Sequence, residues 1–257
     1  INPAVCDNIA KTASHLQEAQ KMLDAFDGKV EPQRGSYGFH YIDKTRAAEA
    51  PSMEYVLHKT LTPYGFGNHV AEEVIQAWES TGKTWESPTH LLANDRSQLV
   101  VKEKGAPFRS LVIPETGNYT LLPKSVMTPW NPEECSIEDY LKSLGNEQRI
   151  KLSLTPKGKD FTPSRERFSI TLDADKVAFP LTLRQARQGD AFHPFGMKGN
   201  KLVSDYLTDR KKNVFEKDAQ LVLADKNGLI VWVVGERTSE DCKVGEETKE
   251  ILNIAVL

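Results

Sequence analysis

Near the start of the chain, apolar side chains recur at Val5, Ile9, Leu16 and Leu23, with Ala13, Ala19 and Phe26 filling the same stripe. Spacings of four and seven residues predict an amphipathic helix, and Asp27-Gly28 supplies its stop. Pro32, Gly35 and Gly38 then read as an irregular connector to about Tyr41. Ser52 is placed to cap a helix bearing Val56, Leu57 and Leu61. Asn68 is placed to cap another, in which Val70, Val74, Ile75 and Trp78 share a face. The first 80 or so residues therefore read as a small helical layer.

After Thr81-Gly82 the period shortens to two. Thr89 to Ala93 and Gln98 to Lys102, separated by Asn94-Asp95-Arg96-Ser97, predict a hairpin. Five prolines from Pro107 to Pro132 interrupt the stretch leading to a short amphipathic helix near Ile137 to Leu144. Further strands are expected at Arg149 to Leu154, Arg167 to Leu172, Leu181 to Gln185, Gln220 to Ala224 and Ile230 to Val234, with a short helix from Ser204 to Thr208. The fold class expected is α+β, a helical subdomain followed by a mostly β domain with a short helix. Its segments are 1–82, a helical linker subdomain; 83–178, a mixed and partly β connecting region; and 179–257, a compact β-rich domain.

Composition adds constraints. The 257 residues are 39% hydrophobic and 27% charged, ordinary for a globular chain. No window approaches 18 uncharged apolar residues, so no membrane-spanning helix is drawn. The chain opens on Ile1 with no leader-like pattern and is expected to begin inside a longer protein. Cys6, Cys135 and Cys242 are far apart in sequence, which fits a reducing cytoplasm rather than a disulfide framework.

Several motifs are considered and set aside. Ser80 to Thr84 matches the end of a phosphate-binding P-loop, but Ala77 stands where its first glycine belongs, and Gly82 reads better as a helix C-cap. None of the six histidines has metal-ligand spacing, no G-x-S-x-G elbow occurs, and Glu133-Glu134 and Glu246-Glu247 read as solvated surface.

The net charge of -3 by itself predicts no nucleic-acid partner. Its distribution says more: Arg184 to Lys217 holds eight basic against four acidic residues, a local +4 on a chain whose remainder carries -7. Within it Gly189, Gly196 and Gly199 interleave with Arg184, Arg187, Lys198 and Lys201. Glycines let backbone N–H groups approach a phosphate, and the cations neutralise it. Ordinary hairpin turns with solvating lysines explain the same letters equally well.

The pattern Arg-x-x-Arg-x-Gly-Asp-x-Phe-x-Pro-x-Gly-Met from Arg184 to Met197 is preceded by Leu172-Asp173-Ala174-Asp175. It is followed by Ser204-Asp205-Tyr206, Asp209-x-Lys211, Phe215-Glu216-Lys217 and the run Trp232 to Arg237. In this order the motifs resemble the C-terminal domain of the bacterial tRNA(Ile)-lysidine synthetase family. The opening helix, Thr81-Gly82-Lys83, Ser87 to His90 and Asp95-Arg96 resemble the region joining that family's catalytic and C-terminal domains. Two departures stand out: Leu202 follows Lys201 where a lysine doublet is common, and Thr238 to Cys242 replaces an arginine-rich tail.

The resemblance implies the tRNA-binding part of an enzyme that adenylates the wobble cytidine of tRNA(Ile) with ATP and displaces AMP with lysine. The family's Ser-Gly-Gly-x-Asp-Ser pyrophosphate loop does not occur in this sequence, so no catalytic residue is assigned and the segment alone is expected to be inactive. ATP and magnesium are expected for the whole enzyme, with no cofactor in this segment. The partners expected are tRNA(Ile) and no membrane, with a second copy of the chain left open. RNA contacts are expected from Arg184, Arg187, Lys198, Gly199, Lys201, Lys211 and Lys212, while Gly189, Asp190, His193 and Gly196 shape the loop. The alternative is a non-catalytic β-domain used for protein interaction or oligomer contact.

Overall fold

A computed structural model of the chain describes residues 4–27, 30–35, 38–105, 108, 110–121, 148–158, 161–164 and 166–257. The helix expected near 137–144, together with Cys135, lies outside the described residues. The chain divides into two compact units, Ile1–Lys104 and Gly105–Leu257.

The first unit opens with helix α1 (Val5–Asp27), which ends where the Asp27-Gly28 signal placed its stop. The described part of its stripe faces solvent: Val5, Ile9 and Leu16 are 40%, 64% and 66% exposed. Its length sustains a helix without tertiary burial, since propagation outweighs nucleation beyond about 12–15 residues. The remaining elements are β1 (Gln33–Arg34), β2 (His40–Asp43), α2 (Lys44–Ala48), α3 (Met53–Leu61), a 3₁₀ turn (Thr62–Tyr64), α4 (Asn68–Gln76), β3 (Thr84–Glu86), β4 (His90–Asn94) and β5 (Gln98–Glu103).

Ser52 caps α3 as expected, its Oγ accepting the Tyr55 N–H at 3.3 Å. Gly67 rather than Asn68 occupies the cap of α4, because the Asn68 Oδ1 is engaged with His58 Nε2 at 2.7 Å. Gly82 is no C-cap either: α4 has ended at Gln76, and Gly82, at φ +91°, turns the chain into β3. The strands form one antiparallel sheet in the order β1-β2-β5-β4-β3. Ile42, Leu92, Leu99 and Val101 from the sheet meet Val56, Leu57, Val70 and Val74 from the helices in a common core. Lys44 is buried beneath the end of α4, its Nζ donating to Asn94 Oδ1 at 3.0 Å and to the Trp78 carbonyl. Burial pushes its ammonium below the usual lysine range.

The second unit contains β6 (Leu111–Ile113), β7 (Gly117–Leu121), β8 (Gln148–Pro156), β9 (Ser169–Asp173), β10 (Leu181–Gln185), β11 (Ala191–Phe192), β12 (Lys201–Leu202), α5 (Val203–Asp209), α6 (Val214–Ala219), β13 (Leu221–Ala224), β14 (Ile230–Val233), β15 (Arg237–Thr238) and β16 (Glu250–Val256). A five-stranded sheet, β15-β14-β13-β10-β6, and a four-stranded sheet, β7-β8-β16-β9, are both antiparallel. Alternating side chains explain how they pack. Leu181, Leu183 and Leu223 of the first meet Ile150, Leu172, Leu252 and Ile254 of the second in a shared core. The other face of the five-stranded sheet presents Val222, Ile230 and Val233, covered by Phe192, Val203, Tyr206 and Leu207 of the β11–α5 segment. A register shift at Leu223/Ala224 is the bulge that lets Val231 and Trp232 of β14 both join the shared core.

The architecture is α+β, as the sequence predicts, but its partition differs from breaks after residues 82 and 178. The hairpin β4–β5 pairs with β2, which ties residues 84–103 to the first unit. Strands β8 and β9 pair with β16, which ties residues 148–173 to the second.

Leu183 is fully buried between the sheets. Leu183→Ala is expected to cost about 2–5 kcal/mol in urea unfolding, whereas Leu16→Ala on α1 stays within about 0.5 kcal/mol of the parent chain.

Candidate functional site

The site is built on the loop that leaves β10. Arg184, the fourth residue of that strand, donates from Nη1 to Asp190 Oδ2 at 2.7 Å and from Nη2 to Oδ1 at 2.8 Å. Asp190 also accepts the Arg187 N–H at 2.7 Å, so one carboxylate closes the turn through Gly189, at φ +87°. Burial pushes the Asp190 carboxyl up, but these hydrogen bonds outweigh it and hold the group below the usual carboxylate range. Both side chains of the pair are only 13–14% exposed.

Beyond β11 the loop is pinned to the strand β15 and the residues after it. The Phe195 N–H donates to the Thr238 carbonyl at 2.9 Å, and the Gly196 N–H to Glu240 Oε2 at 2.9 Å. His193 stands between two acceptors, its Nε2 2.8 Å from the Met197 carbonyl oxygen and its Nδ1 3.2 Å from Asp241 Oδ1. A neutral imidazole has one N–H for these two positions and an imidazolium has two, which is why the pKa is raised, first by Met197 and then by Asp241. The side chains of Arg187 and Lys198 are exposed, and Gly199 turns at φ +77°. Lys201 is ion-paired with Asp209 at the end of α5.

Lys211 and Lys212 come to a different place, an open cleft of about 890 Å³. Arg167, Arg210, Lys211, Lys212, Arg237 and Lys243 line it with Glu166, Asp209 and Glu236, so six cations face three carboxylates and leave +3. Phe195 reaches the same cleft from the glycine loop. Glu236 organises the wall. Its side chain is 4% exposed and lies 3.5 Å from Arg167 Nη2, 3.2 Å from Arg210 Nε and 3.3 Å from Lys212 Nζ. Arg167 donates a further hydrogen bond to the Gly235 carbonyl at 2.8 Å. Gly235, at φ +74°, leaves no room for a β-carbon, which would sit 2.8 Å from the Phe168 ring.

Thus the residues expected to act together divide into two groups. Arg184, Arg187, Gly189, Asp190, His193, Gly196, Lys198, Gly199 and Lys201 belong to the loop from β10 to β12, and Lys211 and Lys212 to the cleft. Arg184, Lys201 and Lys212 have carboxylate partners. Sequence reasoning did not select Arg167, Arg210, Glu236, Arg237, Lys243 or Phe195. Glu236 and Arg237 stand in the motif after Trp232, whereas nothing local marks Arg167, whose partner is 69 positions away. Among the described residues no group of three or more His, Cys, Asp or Glu is placed to hold a metal ion. Cys6 and Cys242 are free thiols, and burial pushes the Cys242 thiol up to about 12.

Fold and site define a two-unit α+β chain whose second unit, a β-sandwich, carries a cationic cleft suited to polyanions. Residues 36–104 match the family described as the TilS substrate binding domain. The tRNA(Ile)-lysidine synthase of Parabacteroides distasonis is 33% identical over 264 residues, covering 100% of this chain and 53% of that protein. That of Bacteroides thetaiotaomicron is 26% identical over 261 residues, covering 98% and 51%. Along its whole length the chain is similar to the C-terminal half of tRNA(Ile)-lysidine synthases. It spans about half the length of the curated relatives it matches. A solved structure described as a TilS C-terminal domain overlaps 42% of this chain and 82% of its own at 21% identity and a TM-score of 0.37.

Two outcomes are expected. The His193 ring should titrate above the ordinary histidine value of 6.5 by NMR, and Asp241→Asn should lower its midpoint. The stabilisation it lends the loop is therefore complete below pH 6.5 and is lost as the pH rises through the raised midpoint. Asp190→Ala, which strands the Arg184 guanidinium, should cost about 3 kcal/mol in urea unfolding at neutral pH. Because the Asp190 pKa is lowered, its contribution is present above the ordinary value of 3.8 and disappears as the pH falls through the lowered one.

Proposed function

We propose that this polypeptide is the tRNA-binding portion of a tRNA(Ile)-lysidine synthase, the ligase that joins lysine to the wobble cytidine of tRNA(Ile) using ATP and magnesium. The observation that carries the reading is the +3 cleft, held on an otherwise acidic chain by the buried Glu236. The relatives' name, tRNA(Ile)-lysidine synthase, supports this reading. The reaction takes place in the cytoplasm, where tRNA is modified. No helix among the described residues is long and apolar enough to cross a membrane.

In this reading the segment contributes binding rather than catalysis. Arg187, Lys198, Gly199 and Lys211 meet the phosphate backbone, with Lys201 and Lys212 adding charge from positions fixed by their carboxylate partners. Arg184 contributes by holding Asp190, and through it the loop. Double-stranded RNA hides its base edges in a deep major groove, so such a surface reads phosphates and shape, and cognate and non-cognate tRNAs gain alike. An interaction module for a protein partner has no comparable use for a cleft in which cations outnumber carboxylates six to three.

The test is tRNA binding by the purified chain over a range of salt concentrations. Substituting Arg187, Lys198 and Lys201 together by Ala should weaken binding of cognate and non-cognate tRNA by about 1 kcal/mol or more. The salt slope should fall by about one unit for each phosphate that is no longer neutralised. Unchanged affinity and slope, with an unchanged circular dichroism spectrum, would make these residues ordinary solvated surface.

A further inference from the structure

Phe195 is 42% exposed, and its position is imposed by the backbone around it. Its N–H donates to the Thr238 carbonyl at 2.9 Å, its carbonyl accepts Arg237 Nη1 at 3.3 Å, and the next amide, Gly196, is bound to Glu240. With both sides of the residue anchored, the ring cannot withdraw into the core, although burial would be favourable for a side chain of this size. It stands instead in a cleft whose walls carry Arg210, Lys211 and Arg237.

Aromatic rings beside cationic walls form the arrangement that holds unpaired nucleotides, because every base offers a π-face while the cations take the backbone phosphate. The cleft volume of about 890 Å³ is that of a pocket for a small ligand, typically about 300–1,000 Å³. That is room for one or two nucleotides. Glu236 adds selectivity: it is buried and ion-paired behind Arg210 and Lys212, so these cations are held at the wall before any ligand arrives. We infer that the cleft is a binding site for an unpaired RNA nucleotide, whose base stacks on Phe195 and whose phosphate is held by Arg210 and Arg237. The inference rests on the tRNA-binding reading and deepens it, since it separates a single-strand subsite in the cleft from the stem-facing cations of the β10–β12 loop.

The experiment uses the full 257-residue chain with two probes, a short single-stranded RNA and a blunt-ended RNA duplex. Phe195→Ala should weaken single-strand binding by about tenfold, within the range seen when one stacked base is removed, with the salt slope and duplex affinity unchanged. Phe195→Trp should restore the affinity, and fluorescence from the new indole should be quenched by the single strand but not by the duplex. Arg210→Ala should lower the single-strand salt slope by about 0.7, the value for one neutralised phosphate. Single-strand affinity unaffected by Phe195→Ala, or an equal loss on both probes, overturns the subsite while leaving tRNA binding intact. Failure of the unsubstituted chain to bind tRNA and both probes overturns the underlying reading, and the subsite with it.

Discussion

A carboxylate taken out of water must be met by positive charge, and Glu236 is met three times over. Removing such a group from solvent costs several kcal/mol unless hydrogen bonds and opposite charges compensate. Arg167, from the segment leading into β9, and Arg210 and Lys212, from the end of α5, converge on it. They come from two stretches some forty positions apart in the chain, so one buried acid fixes half of the cleft's cations. Because the cations outnumber it, the acid does not cancel the wall's charge. It holds the cationic heads at fixed positions and leaves an excess of charge toward the cleft.

The same logic recurs on a smaller scale in the adjoining loop. Asp190 takes both arms of Arg184 and the amide of Arg187, and Glu240 takes the amide of Gly196. Each acid spends its hydrogen-bonding capacity on local geometry, and exposed charge is left to Arg187 and Lys198. An acidic chain thereby presents a basic face without assembling a large uncompensated block of charge.

How much of this was legible in the sequence depended on range. The strand Leu181–Gln185 and the hairpin on either side of Asn94 to Ser97 were readable because alternation and turn residues are local signals. The strand β16 was not, since its apolar run from Ile251 carries no turn signal of its own and takes its meaning from two partner strands. The stripe on α1 was visible as a period, but periodicity does not say whether a face is covered. The glycine loop could be picked out by composition, whereas the cleft could not, because Arg167 meets Glu236 only after the sheets have formed.

Strand β16 lies between β8 and β9, and its bond to Ser153 spans 100 positions. The four-stranded sheet is therefore completed by insertion of its latest strand into the middle, not by addition at a rim. A nascent chain that has not yet delivered residues 250–256 carries two unpaired strand flanks and an uncovered layer of Ile150, Leu172 and their neighbours. Such flanks are the surfaces on which chains associate wrongly. The sheet thus needs protection from other chains until β16 arrives, the latest of its four strands in chain order.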